Sequence, residues 1–460
     1  MQMEQRSIEY IPEAERHGNV RNLFNIWFSA NAQITTVVTG ALATVLGLNL
    51  WWAIIAVVAG NAIGGIFMAY HSAQGPKLGV PQMIQSRAQF GVIGAVLPLV
   101  LVIVMYLGFF STSSVLGAQA LALALQIPQN LSLVIVNLAA VLLVTFGYDL
   151  IHRYERVVAI LFLLLFIYLT IRLLQQPFPT HMAEPGFSWG PFLLVLSIMA
   201  SWQLTYAPYV ADYSRYLPSH TSTSATFWYT YLGSVIGSSW MMILGAIASL
   251  VAPKESEEMV AYFGHLAGAG MDIVVYLLIV LGVLAINTLN LYGGFMSVAT
   301  TVSAFTPWRT TRTARLLFIV LVAAAGTAIA IWGQGNFLDN YSKFLLLLLY
   351  FMIPWTAINL VDFYLLRRGR YNIHAIFDLH GEYGKVNWIA ILAYVVAVFI
   401  QFPFMNTDLY VGVLAKHMGG ADIAWIVGLL VAAALYYFPM KARLSLNGTM
   451  LNQETGHPDL

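Results

Sequence analysis

From residue 22 to residue 76 the chain carries no Asp, Glu, Lys or Arg, and from residue 88 to residue 148 it again carries none. A helix needs about 20 apolar residues to cross the hydrocarbon core of a bilayer, so each uncharged stretch has room for two crossings. Only 9% of all residues are charged and 59% are hydrophobic, against roughly 25% charged in a soluble domain. Lipid is therefore the main solvent of this chain. Its fold class is all-α integral membrane.

Apolar runs between polar breaks predict spans at Leu23–Gly47, Trp51–Tyr70, Gly91–Leu125, Leu131–Phe146 and Val157–Leu174, then at Ser188–Ala211, Thr226–Val251, Asp272–Ser303, Leu316–Trp332 and Tyr341–Phe363. Two more follow at Val386–Phe404 and Ile423–Phe438. About twelve transmembrane helices put both termini on one side of the membrane. All but four of the 21 basic residues fall on that side, the four being Arg172, Lys254, Lys343 and Lys416. Positive loops are retained in the cytoplasm, so both termini are expected there. The membrane in question is the plasma membrane or a bacterial inner membrane. The first 22 residues are polar and mixed in sign, so no cleavable secretory signal is expected and the first span serves for insertion.

Five is an odd number, so two tandem sets of five cross the membrane in opposite senses, the geometry of inverted-repeat transporters. The expected organisation is an N-terminal segment 1–22, a first repeat 23–174, a second repeat 188–365, two additional helices within 386–439 and a tail 440–460. In such folds the first helix of each repeat, here helices 1 and 6, is broken near mid-membrane. The first span holds Ser29-Ala30-Asn31-Ala32-Gln33 and the sixth holds Ser201-Trp202-Gln203-Leu204-Thr205-Tyr206-Ala207-Pro208. Pro208 removes a backbone donor and disfavours helix just before it.

Polar side chains at mid-span are unfavourable against lipid and are expected to face the bundle interior. One candidate cluster is Ser29, Asn31 and Gln33, three polar side chains within five residues. A second is Trp202, Gln203, Thr205 and Tyr206, in which the two aromatics lie four apart on one face. A third is Asn287 with Asn290, three apart in the eighth span. The third span adds Tyr106, Phe109 and Phe110, followed by Ser111, Thr112, Ser113 and Ser114. Amides offer donors and acceptors that match the rim of a nucleobase, and an aromatic ring can stack on its face. Each cluster also has a structural alternative, hydrogen bonding or packing between helices. No acidic or basic residue lies at mid-span. Asp149, Glu155, Asp212, Asp272 and Asp362 sit near span ends, where solvated or salt-bridged structural roles are expected.

Several classes are excluded. The formal net charge is only +1, too balanced for a nucleic-acid partner. The absence of cysteine removes disulfides, thiolate metal sites and cysteine nucleophiles. Nucleotide-loop, dinucleotide and HExxH patterns are missing, which leaves a pump or metalloprotease without a motif. An enzyme would need a nucleophile–base pair or metal ligands inside the bundle, and none is visible. A channel would need a continuous polar lining, whereas these polar residues gather at one depth. No cofactor is implied, and nothing in the sequence sets an oligomeric state.

The chain resembles the nucleobase:cation symporter-1 family, within it the purine/cytosine permease branch. The resemblance rests on Trp27-Phe28-Ser29-Ala30-Asn31; Gly75-Pro76-Lys77-Leu78-Gly79; Ser86-Arg87-Ala88-Gln89-Phe90-Gly91; Phe146-Gly147-Tyr148 with His152-Arg153-Tyr154-Glu155-Arg156; Ala211-Asp212-Tyr213-Ser214-Arg215-Tyr216-Leu217-Pro218; Asn287 with Asn290-Leu291-Tyr292; and Arg368-Gly369-Arg370-Tyr371-Asn372 with Val386-Asn387-Trp388. It implies alternating access and a small heterocycle held between aromatics of the third and sixth helices, with an eighth-helix amide on its edge. By position these roles fall on Phe109, with Tyr106 beside it, and on Asn287. The sixth-helix stacking position falls on Gln203, which is not aromatic, leaving Trp202 or Tyr206 as substitutes. Where sodium-coupled relatives carry two hydroxyls, the matching Ala285 and Ile286 carry none. That favours a proton as the coupling cation and leaves sodium open through backbone carbonyls. The same resemblance also admits related flat substrates: allantoin, a hydantoin or a vitamin-like pyrimidine.

Overall fold

The structure, a computed structural model, describes residues 8–146, 148–178, 187–306 and 312–446. Gly147, the side chains of Asp149 and of residues 152–156, Arg309 and the tail from 447 onward lie outside the described residues.

Among the described residues the architecture is helical, with a single isolated bridge between Asn406 and Val411. Each expected span is found as helix. The first is interrupted, α1 (Asn22–Asn31) and α2 (Ile34–Val45). Then come α3 (Leu50–Ser72), α4 (Gly75–Leu78), α5 (Gln82–Phe90), α6 (Val96–Leu125), α7 (Gln129–Phe146) and α8 (Tyr148–Leu174). The sixth span is likewise interrupted, α9 (Trp189–Leu204) and α10 (Val210–Ser214). The remainder are α11 (Thr223–Val251), α12 (Met259–Ala267), α13 (Asp272–Ser303), α14 (Arg312–Gly333), α15 (Phe337–Leu360), α16 (Trp388–Gln401), α17 (Val413–His417) and α18 (Ala424–Leu446).

The starts of several helices follow local sequence. Asn49, Ser222 and Asn387 each accept a backbone N–H of the first turn they precede, satisfying a donor that would otherwise be orphaned. Small residues then let helices touch backbone to backbone. A Cβ on Gly40 of α2 would collide with the Met242 backbone of α11, and one on Gly245 of α11 with the Val37 carbonyl of α2. The outer surface is correspondingly apolar. Leu142, Ile160, Leu321, Leu392, Phe399, Leu430 and Phe438 are all exposed, as a lipid-facing belt requires.

The structure departs from the sequence reading at the connection between the second and third spans. The connection between the second and third spans holds two helices, α4 and α5, and every residue of α5 is buried. Its polarity suggested a loop, but its polar groups find partners inside the protein. Gln85 donates to the Val80 carbonyl, Arg87 to the Thr300 carbonyl and Ser303 hydroxyl, and Gln89 to the Tyr371 hydroxyl. The third span accordingly begins at Val96 rather than Gly91. At the far end of α15, in a π-helical turn over Val361–Leu366, Asp362 is fully buried. It accepts from the Tyr371 hydroxyl at 2.5 Å and the Tyr436 hydroxyl at 2.8 Å and lies 3.4 Å from Arg367 Nε, the salt-bridged structural role expected of an acid at a span end.

Candidate functional site

The two interrupted spans meet in the middle of the bundle. At the first break Ala32 leaves the helical region and Gln33 is extended, with φ −148° and ψ 158°. At the second, α9 ends at Leu204 and regular helix resumes only at Val210, past Pro208. Residues displaced by the breaks and two intact helices, α6 and α13, enclose a narrow, water-sized cavity of about 20 Å³.

The wall is built from Gln33 and Thr35 of the first span, Met105, Tyr106, Phe109 and Ser113 of α6, Trp202, Thr205, Tyr206 and Tyr209 around the second break, and Ile286 and Asn290 of α13. Spacing explains the α6 contribution, because positions 105/106, 109 and 113 recur every helical turn on one face. Ile286 and Asn290 are related in the same way. None of these residues is acidic or basic.

Aromatic groups dominate. The Phe109 ring meets Trp202 edge-on, with centroids 5.9 Å apart and planes at 85°. Trp202 meets Tyr206 at the same separation and angle, and Tyr106 leans on Tyr209 at 5.6 Å. A flat molecule between two parallel rings needs them about 7 Å apart, twice a carbon–carbon contact. The arrangement seen here is thus the packed state of the wall, with Phe109 and Trp202 filling part of the space between them.

Of the eleven residues singled out from sequence, seven reach the wall: Gln33, Tyr106, Phe109, Trp202, Thr205, Tyr206 and Asn290. Asn290 keeps a buried Nδ2 with no partner, a donor available to a guest. The other four are placed elsewhere. Gln203 is fully buried and bonded away from the cavity: Nε2 donates to Asn61 Oδ1 at 2.9 Å and Ser238 Oγ at 2.7 Å, and Oε1 accepts from Ser234 Oγ at 2.6 Å. It follows Trp202 by one residue, so the helical turn that aims the indole at the cavity aims the amide at α3 and α11. Asn31 lies behind the aromatic wall, bonded to the Trp202 indole. Ser29 is half-buried on α1 and its carbonyl accepts from Ala32 N–H at the break. Asn287, one residue from Ile286, turns toward α6 and donates to Ser114 Oγ at 2.9 Å, which leaves its buried Oδ1 without a partner.

Sequence reasoning passed over Thr35, Met105, Ser113, Tyr209 and Ile286 as site residues. The α6 periodicity could have supplied Met105 and Ser113 from Phe109. Nothing comparable marks Tyr209, which reaches the wall only because the helix is interrupted. Neither Ala285, partly buried against the core, nor Ile286 at the wall offers a side-chain oxygen to a cation. Among the described residues no group of three or more His, Cys, Asp or Glu is placed to hold a metal ion.

Comparison with known proteins gives this site its setting. The family model for permeases of cytosine/purines, uracil, thiamine and allantoin matches residues 10–428. The chain belongs to that permease family. It is the nucleobase:cation symporter-1 family, in its purine/cytosine branch, that the sequence motifs resemble. This permease is 47% identical over 449 residues to a Bacillus subtilis (strain 168) protein inferred to be a purine-cytosine permease, covering 96% of this chain and 97% of that one. It is 28% identical to a purine-cytosine permease of Emericella nidulans, covering 95% and 88% of the two chains. Among solved structures, the inward-facing conformation of Mhp1 matches with a TM-score of 0.77 at 20% identity, over 100% of this chain and 99% of that one. Mhp1 closed around bromovinylhydantoin matches at 0.76 and 21%, over 96% of each. These likenesses show the same fold. The permease is a membrane transporter and not an enzyme.

Proposed function

We propose that this permease imports a neutral, flat heterocycle of the purine or cytosine class across the plasma membrane or bacterial inner membrane by cation symport. Both termini face the cytoplasm. The observation that carries the reading is the cavity between the two helix breaks, lined by aromatic rings and amides and by no charged side chain. An uncharged wall disfavours ions, which would be desolvated without compensation. Rings supply faces for stacking, worth about 1 to 3 kcal/mol per base, and Asn290 supplies a free donor for the base edge.

In this account the guest separates Phe109 from Trp202, stacks on them and bonds to Asn290, with Tyr106, Thr205 and Tyr206 closing around it. Asn287 adds its unpartnered Oδ1 when α13 shifts. Inward rocking then releases the guest, and accumulation requires cation and substrate to favour the same conformation. Proton coupling is the favoured form, since Ala285 and Ile286 lack the hydroxyls a sodium ion would use.

A related flat substrate is the second reading, supported by 24% identity over 424 residues to a hydantoin permease of Microbacterium maritypicum. Uptake of radiolabelled cytosine, adenine, hypoxanthine, uracil, allantoin and hydantoin, with and without sodium and across pH, distinguishes them. Phe109→Ala is expected to reduce uptake of the preferred base at least about fivefold at matched expression, the lower end of one lost stacking contact. Full uptake by the variant discards the site.

A further inference from the structure

Asn31 ends α1 at the first helix break and is completely buried. A primary amide can donate two hydrogen bonds and accept two, and here all four are in use. Nδ2 donates to the Trp27 carbonyl at 2.7 Å, closing its own helical turn, and to Ser234 Oγ of α11 at 3.1 Å. Oδ1 accepts from Trp202 Nε1 at 2.7 Å and from the Tyr206 hydroxyl at 3.3 Å. A saturated amide has nothing left for a guest. Both bonds accepted by its oxygen, however, come from aromatic side chains that form the cavity wall.

Those two bonds have geometric consequences. An indole ring with a free N–H can rotate about its side-chain bonds, whereas one tethered at Nε1 is held in one plane. Trp202 is held edge-on to Phe109, at 85°, and edge-on to Tyr206, at 85°. The tether is anchored in turn: Ser234 Oγ, which receives Asn31 Nδ2, donates to Gln203 Oε1, and Gln203 is fixed to Asn61 and Ser238. The plane of Trp202 is therefore set from α1, α3 and α11 together, and the width of the slot beside Phe109 depends on that plane.

We propose that Asn31 is a positioning residue that determines substrate specificity without touching the substrate, by fixing the Trp202 and Tyr206 rings from behind. Helix-to-helix adhesion alone would not direct both acceptor bonds to wall aromatics. The proposal rests on the cavity being the transport site, so its test must separate the two claims.

The test is a double-mutant cycle between Asn31→Ala and Trp202→Phe, since Phe keeps a ring and lacks the N–H. Purified protein in liposomes is assayed by counterflow for KM and maximal rate with one monocyclic base, cytosine, and one bicyclic base, adenine. Asn31→Ala is expected to raise the KM for the preferred base about tenfold, the loss of two ordinary hydrogen bonds, to leave the maximal rate within about twofold, and to change the cytosine/adenine preference. In the Trp202→Phe background most of that effect should vanish, because the tether is already gone. Strictly additive KM effects, or an unchanged base preference, overturn the positioning role. If Trp202→Phe and Phe109→Ala each leave KM and base preference unaltered, the cavity itself is not the site and both claims fall. Should Asn31→Ala not reach the membrane, Ser234→Ala removes the anchor of the Asn31 amide, together with the bond Ser234 donates to Gln203 Oε1, and leaves both bonds from the wall aromatics to Asn31 in place. It is expected to raise KM about threefold in the wild-type background and not in Trp202→Phe, and an equal rise in both overturns the proposal.

Discussion

Two groups of polar side chains lie at the level of the helix breaks, and they differ in what is left over. Behind the aromatic wall, Asn31, Asn61, Gln203, Ser234 and Ser238 bond one another in a closed network joining α1, α3, α9 and α11. On α13, Asn290 at the cavity wall retains an unpartnered donor, and Asn287, turned toward α6, an unpartnered acceptor. Both groups are amide-rich and buried in the same apolar surroundings. Satisfaction distinguishes them: a network that spends every donor and acceptor internally holds the scaffold, whereas buried groups left open are of use to a guest. Leaving a polar group unpaired inside a protein is unfavourable by about 1 to 3 kcal/mol, which a substrate of matching chemistry can recover.

The contrast can be broken by exchanging the two behaviours. Gln203→Leu should have the largest effect on stability, because it removes three hydrogen bonds and strands Asn61 Oδ1 and the Ser234 hydroxyl. A loss of about 2 to 5 kcal/mol is expected, read as a lower melting temperature in detergent and poor membrane expression. A Gln203→Leu protein as stable as wild type, with only its KM raised, would move this residue to the substrate side. Asn290→Ala should behave the opposite way. Its stability stays within about 0.5 kcal/mol of wild type, since no existing bond of the free donor is lost, while KM rises about tenfold for the loss of one bond to the base. Tyr206→Phe sharpens the comparison at its boundary, where wall and network touch. Its 3.3 Å bond to Asn31 is the longer of the two that Asn31 Oδ1 accepts, so KM and stability should each change by about 0.6 kcal/mol or less, at most about threefold in KM. A larger loss would mean that the Tyr206 hydroxyl bonds the substrate directly.

Much of the scaffold was readable from the chain. The charge-free intervals located the spans, because lipid admits so few charges. Pro208 marked the second break, because it cannot complete the backbone ladder. The weaker reading concerned which amides face the cavity. Gln203 stands between Trp202 and Thr205 in the most promising string of the sequence, yet its partner Asn61 is 142 positions away, and the Asn31 partner Ser234 is 203 positions away. Saturation is a property of tertiary contacts and leaves no trace in local composition. Tyr209 was overlooked for a related reason: it reaches the wall where the backbone leaves the helix, so helical periodicity does not lead to it. The buried helix α5 was hidden by its polarity, which partners such as Thr300 and Tyr371 neutralise from distant segments.

The most direct measurement is a structure determined with cytosine or a purine bound. The expected result is a base stacked within about 4 Å of the Phe109 ring, with Phe109 and Trp202 moved apart from their edge-on contact and Asn290 Nδ2 bonded to the base rim. A base found elsewhere, with the 5.9 Å edge-on contact between Phe109 and Trp202 undisturbed, would contradict the account.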